Sequence, residues 1–86
     1  MRLRVFTAPE CPKCPAAKEI AETIAKQRDD IILEILDISN INNMTMALML
    51  QICSTPSFVL EETPLFIGEV PSIEELNRSI DENKSI

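Results

Sequence analysis

With 86 residues the chain has the length of one domain, 1–86, and not two. A domain this small builds one modest core, burying about 60–65% of the surface that its unfolded chain exposes. Apolar residues form 45% of the chain, which favours a folded protein over disorder, and the net charge of −6 argues against a nucleic-acid surface or adhesion to anionic lipid.

Leu3 to Thr7 is short, apolar and β-rich, and it stops at Pro9, so it reads as a buried strand. Pro12 suits the first turn of a following helix, where its missing N–H costs little. Ala17, Ile20, Ala21 and Ile24 then recur at i, i+3, i+4 and i+7, one apolar stripe of an amphipathic helix. Lys26 and Arg28 sit near its end, where cations complement the helix dipole.

Ile31 to Ile38 is nearly continuous Ile and Leu, the pattern of a strand covered on both faces. Ser39, Asn40 and Asn42 offer helix caps, and Met44 to Cys53 reads as a second helix ending before Pro56. Ser57–Leu60 and Leu65–Ile67 read as two short strands joined by a polar Glu61-Glu62-Thr63 turn, an antiparallel hairpin. Pro64 marks the last strand as an edge, since proline cannot donate to a ladder. Gly68, the single glycine, closes that strand. Ser72 and Glu75 have the spacing of a capping box for a final helix that buries Ile73, Leu76 and Ile80. The expected fold is α/β in the order β-α-β-α-β-β-α, a four-stranded mixed sheet flanked by three helices. Its first crossover should be parallel and right-handed.

No apolar run approaches the ~18 residues of a membrane span. Met1 to Phe6 contains no stretch of signal-peptide length. A cytoplasmic location is therefore expected, and there a close cysteine pair is more often catalytic or metal-binding than a permanent crosslink.

Cys11 and Cys14 form such a pair around Pro12 and Lys13, between a strand and a helix. Cys11 falls at or just before the helix start, where unpaired N–H groups and the positive dipole end favour a thiolate. Lys13 adds to that effect, while Glu10 opposes it. Cys14, one turn further, should be more buried and should resolve the mixed disulfide that Cys11 forms. The same spacing also serves structural metal sites. These usually need four Cys or His ligands, and the chain has three Cys and no His. Zinc or an iron–sulfur cluster would need Cys53 with a carboxylate, or ligands shared between two chains. Simple packing of small apolar cysteines is the remaining alternative.

Thr7-Ala8-Pro9-Glu10-Cys11-Pro12-Lys13-Cys14 resembles the active-site entry of the thioredoxin and glutaredoxin superfamily. Ile52 to Leu60 resembles the segment that carries the family's cis-proline, and Phe66 to Ser72 its last strand and turn. Three such motifs in order cover nearly the whole chain. The compact length is similar to that of glutaredoxins and of small archaeal and bacterial thioredoxins. The resemblance implies a cis Thr55–Pro56 bond, a backbone contact from Thr55 to an extended substrate, and Gly68 lining the same groove.

Three departures from the family pattern bear on mechanism. Glu10 stands where thioredoxins carry a tryptophan. Val5 stands where they bury a carboxylate that assists the resolving thiol, so the Cys14 proton must pass to water or another group. Lys13 and Gly68-Glu69 stand where glutathione-binding glutaredoxins commonly have an aromatic residue and a Gly-Gly pair. Glu69 repels an anionic tripeptide and Lys13 attracts it, leaving glutathione disfavoured as a substrate.

Cys53, three residues before Pro56, should lie near the active site. It reads mainly as a buried small residue ending the second helix, with a regulatory thiol as the sharper alternative. Met44, Met46 and Met49 cannot all face the core of one helix; packing is expected to explain at least two.

The expected function is reduction of protein disulfides by the Cys11–Cys14 pair, with no metal and no cofactor beyond that redox-active disulfide. The expected partners are disulfide-containing target proteins and a reductase that regenerates the dithiol. Neither nucleic acid nor membrane is expected, and the chain is expected to be a monomer. The rivals are a glutathione-dependent glutaredoxin, a dedicated electron donor to an enzyme such as ribonucleotide reductase, and a cysteine-based metal-binding module.

Overall fold

The computed structural model describes residues 1–83; the last three residues of the 1–86 domain expected above lie outside the described residues. The elements run β1 (Arg2–Thr7), α1 (Cys14–Gln27), β2 (Ile32–Asp37), α2 (Ile41–Met49), β3 (Ser57–Leu60), β4 (Thr63–Ile67) and α3 (Ile73–Asn83). They build the expected α/β class, with a mixed sheet of four strands in the order β2-β1-β3-β4. β1 pairs parallel with β2, placing Thr7 opposite Asp37, and antiparallel with β3, placing Phe6 opposite Ser57. The ends of β1 and β2 and the start of β3 therefore share one rim of the sheet.

Side chains alternate across that sheet. Leu3 and Val5 of β1 and Phe58 and Leu60 of β3 face α1 and α3, joining Ala17, Ala21, Ile24, Leu76 and Ile80 in one buried cluster. Phe6 and Val59 face the other way and meet Ala47 and Ile52 beneath α2. Phe58 also packs edge-on against Phe66, with ring centroids 6.3 Å apart.

The strand covered on both faces is not β2, as its Ile and Leu run suggested. β2 is an edge, with Ile32 62% and Ile35 38% exposed, while β1 and β3 take the centre. Helix α1 begins at Cys14, with Lys13 as its N-cap and Pro15 in the first turn. Pro12 thus precedes the helix instead of opening it. The small Ala17 and Ala21 let α1 approach the sheet closely, and Arg28 ends it by donating its N–H to the Ile24 carbonyl oxygen at 3.0 Å. The Arg28 guanidinium then ties α1 to Asp30 and to Asp81 of α3, both at 3.0 Å.

Helix α2 starts three residues earlier than expected. The Asn40 side chain accepts from the Asn42 and Asn43 N–H groups at 2.9 and 3.3 Å, a proper N-cap. It also ends four residues earlier, at Met49 and not Cys53. Ile52 N–H bonds to the Ala47 carbonyl and Gln51 N–H to the Leu48 carbonyl, a Schellman closure with Gln51 at φ 61°. That position usually holds glycine, so the stop carries no glycine signal. In the hairpin, Glu61 takes φ 57°, held by its N–H to the Arg2 carbonyl and by Arg4 Nη1 on its own carbonyl, both at 2.9 Å. β4 begins at Thr63, before Pro64, on the edge that this proline indicated.

The capping box of α3 is complete: Glu75 N–H donates to Ser72 Oγ at 3.1 Å, and Ser72 N–H to Glu75 Oε1 at 3.0 Å. That second bond holds the Glu75 carboxyl below the usual carboxylate range. Leu76 and Ile80 are buried, whereas Ile73 remains 37% exposed at the helix start. Among the described residues, no helix is long and apolar enough to cross a membrane.

Candidate active site

Cys11 lies in the loop that leaves the rim end of β1, and Cys14 is the first residue of α1. A disulfide joins them, with Cα atoms 5.3 Å apart. Cys14 is only 3% exposed, while Cys11 is partly exposed and borders an open cleft of about 570 Å³. Pro9, Glu10, Pro12 and Thr55 share that cleft. One accessible sulfur beside a buried one is the asymmetry that a two-step exchange requires: the first attacks outward, the second attacks the first.

The helix end helps Cys11 less than its position suggested. Pro12 and Pro15 carry no N–H, and the Cys14 N–H is spent on the Cys11 carbonyl oxygen at 3.3 Å. Lys13 makes no side-chain cap bond and its side chain is exposed, so it acts on the pair as a nearby cation through solvent. Val5, where the family resemblance places a carboxylate, is fully buried in the apolar cluster under α1 and α3.

The opposite wall is the segment Ser54 to Ser57, which enters β3. The Thr55–Pro56 peptide bond is cis. Pro56 is fully buried, and its carbonyl accepts the Gly68 N–H at 2.8 Å. Gly68 does not itself border the cleft. It has φ 73°, and a Cβ there would sit 3.1 Å from Ser54 Cβ, so its lack of a side chain serves the contact with this segment.

A second groove, about 230 Å³, adjoins the first and shares Thr55 with it. Met44, Leu48, Ile52 and Cys53 border it. Cys53 was expected to be buried at a helix end; it is exposed and free, four residues past α2. The early Schellman stop is the reason, because it turns the chain outward before residue 53. The methionines also differ from expectation. Met46 packs on the cluster under α2, but Met44 is 40% and Met49 80% exposed, so packing explains one and not two. Asp37, at the end of β2 beside α2, is held below its usual carboxylate range by the Ser39 N–H. Among the described residues, no group of three or more Cys, Asp or Glu side chains is placed to hold a metal ion.

The sequence matches a known domain over most of the chain: residues 1–81 fit the thioredoxin domain. The chain is 34% identical over 80 residues to the thioredoxin of Methanocaldococcus jannaschii, covering 93% of this chain and 92% of that protein. The chain belongs to the thioredoxin family. As a thioredoxin-family member it is a thiol-disulfide oxidoreductase. A probable thioredoxin of Archaeoglobus fulgidus is 30% identical over 78 residues, spanning 91% of this chain and 84% of that one. Thioredoxin 1 of Thermosipho africanus superposes with a TM-score of 0.73 at 25% identity, covering 95% and 92% of the two chains. Most of the compact thioredoxin architecture is thus present within this short chain.

Proposed function

We propose that the chain reduces disulfides in other proteins, with Cys11 as nucleophile and Cys14 as resolving thiol. The observation that carries this reading is the contrast between Cys11, bordering the open cleft, and Cys14, buried behind it. In the reduced pair, the Cys11 thiolate attacks one sulfur of a target disulfide. That bond breaks, a Cys11–target bond forms, and the departing target thiolate takes a proton from water. Cys14 then gives its proton to water, and its thiolate attacks Cys11 Sγ. The second target sulfur leaves and is protonated. Two electrons and two protons have passed to the target, and the Cys11–Cys14 disulfide remains for a reductase to open.

Pro12 and Lys13 set the spacing and local charge of the pair, and Thr55 offers its backbone to an extended target strand beside the cleft. No cofactor beyond the pair takes part. The cytoplasm, with its reducing thiol pool, is the compartment in which such a dithiol is kept active. Cys53 stands outside this cycle.

The test offers the reduced protein insulin and, separately, a glutathione mixed disulfide. Insulin reduction that disappears in Cys14→Ser is the expected result. Activity confined to the glutathione adduct and surviving Cys14→Ser would make the protein a glutaredoxin by function. Neither activity, with stoichiometric metal in the purified protein, would transfer the pair to metal binding.

A further inference from the structure

We infer that Ser57 is a positioning residue that holds the Thr55 backbone in place for an incoming peptide strand; the inference rests on the reduction of protein disulfides proposed above. Ser57 is fully buried, in a strand whose other members, Phe58, Val59 and Leu60, are apolar and buried. A hydroxyl in such a place costs stability unless it is hydrogen-bonded. Ser57 Oγ donates to the Ser54 carbonyl oxygen at 2.5 Å, reaching back across Thr55 and Pro56. Alanine would fill the core nearly as well, so the hydroxyl is there for that bond.

The bond is one of three contacts that pin the segment. Gly68 packs against the Ser54 side chain, so closely that a Cβ would lie 3.1 Å from Ser54 Cβ. The Gly68 N–H holds the Pro56 carbonyl at 2.8 Å. Ser54 and Pro56 are thereby fixed on either side of Thr55, which among the described residues is the one common to the redox cleft and the adjoining groove. Ser57 borders neither cavity. It acts on a substrate only through the Thr55 backbone, and only on a substrate with a peptide strand to lay there.

That restriction supplies the test. Reduction of insulin and of 2-hydroxyethyl disulfide, which has no peptide backbone, is measured for the full chain, Ser57→Ala and Ser57→Thr. Ser57→Ala should lower kcat/KM for insulin about tenfold, mostly through KM, while the rate on the small disulfide stays within about twofold. Ser57→Thr, which keeps the hydroxyl, should restore the insulin value. Equal losses on both substrates, or no loss on either, would overturn the positioning role. A wild-type protein inactive on insulin would instead remove the proposed function itself. Should Ser57→Ala fail to fold, Ser57→Thr and Ser57→Val, equal in shape but not in hydrogen bonding, give the same comparison: a Val deficit confined to insulin supports the role, and any other pattern overturns it.

Discussion

The two faces of the sheet are built to different standards. On one, α1 and α3 cover Leu3, Val5, Ile24, Phe58, Leu76 and Ile80, all fully buried. On the other, α2 alone covers Phe6 and Val59, and Ile41, Leu48 and Met49 of that helix stay largely exposed. Charge divides in the same way. All fourteen acidic and eight basic residues fall within 1–37 and 61–86, and residues 38–60 carry none. The α1/α3 face holds the fold together by depth of packing and by the Arg28 bridges, while the thinner α2 face borders the groove that adjoins the redox cleft. The deep packing and the apolar groove beside the redox cleft thus lie on different faces of one small sheet.

Substitutions on the two faces should separate these roles. Leu76→Ala empties a fully buried site between α3 and the sheet and should cost roughly 2–5 kcal/mol. Ile52→Ala, under α2, should fall at the low end, about 2 kcal/mol, because fewer neighbours surround the gap. Urea denaturation of both variants checks the order; equal losses would remove the difference between faces. Gly68→Ala forces a side chain into left-handed backbone against Ser54 and should cost about 1–3 kcal/mol.

Ser72→Ala breaks the α3 capping box and should cost about 1 kcal/mol by the same measurement. Its partner makes that box sensitive to acid. The Glu75 carboxyl titrates lower folded than unfolded, so its contribution is complete above the ordinary carboxylate range and is lost as pH falls through the folded value. The stability difference between wild type and Glu75→Gln should therefore shrink from pH 7 towards pH 3. A difference constant with pH would remove Ser72 as the cause. The smallest effect belongs to Leu48→Ser on the exposed α2 surface, within about 0.5 kcal/mol.

The elements legible in the sequence were those with local chemical signals. The β-rich runs located β1 and β3, the Ser72/Glu75 spacing located α3, and Pro64 identified the β4 edge. The end of α2 was not legible, because Gln51 occupies a turn position where glycine is the usual sign. That one omission carried Cys53 into a helix and into the core, when it is exposed beyond both. Strand order was equally hidden: Ile31 to Ile38 looks buried by composition, yet pairing partners decide exposure, and β2 has one neighbour. At the site, Cys11, Cys14, Thr55 and Pro56 were marked by spacing and family motif. Ser57 was invisible, since its role depends on a backbone oxygen three residues away, brought close by the shape of the loop.

The most direct test of the account asks which cysteine takes the target. Cys14→Ser, reduced and mixed with insulin, should accumulate a one-to-one covalent adduct that peptide mapping places on Cys11, without turnover. Cys11→Ser should form none. An adduct carried by Cys14 or Cys53 in Cys11→Ser, at the rate seen for Cys11, would contradict the assignment of exposed nucleophile and buried resolver.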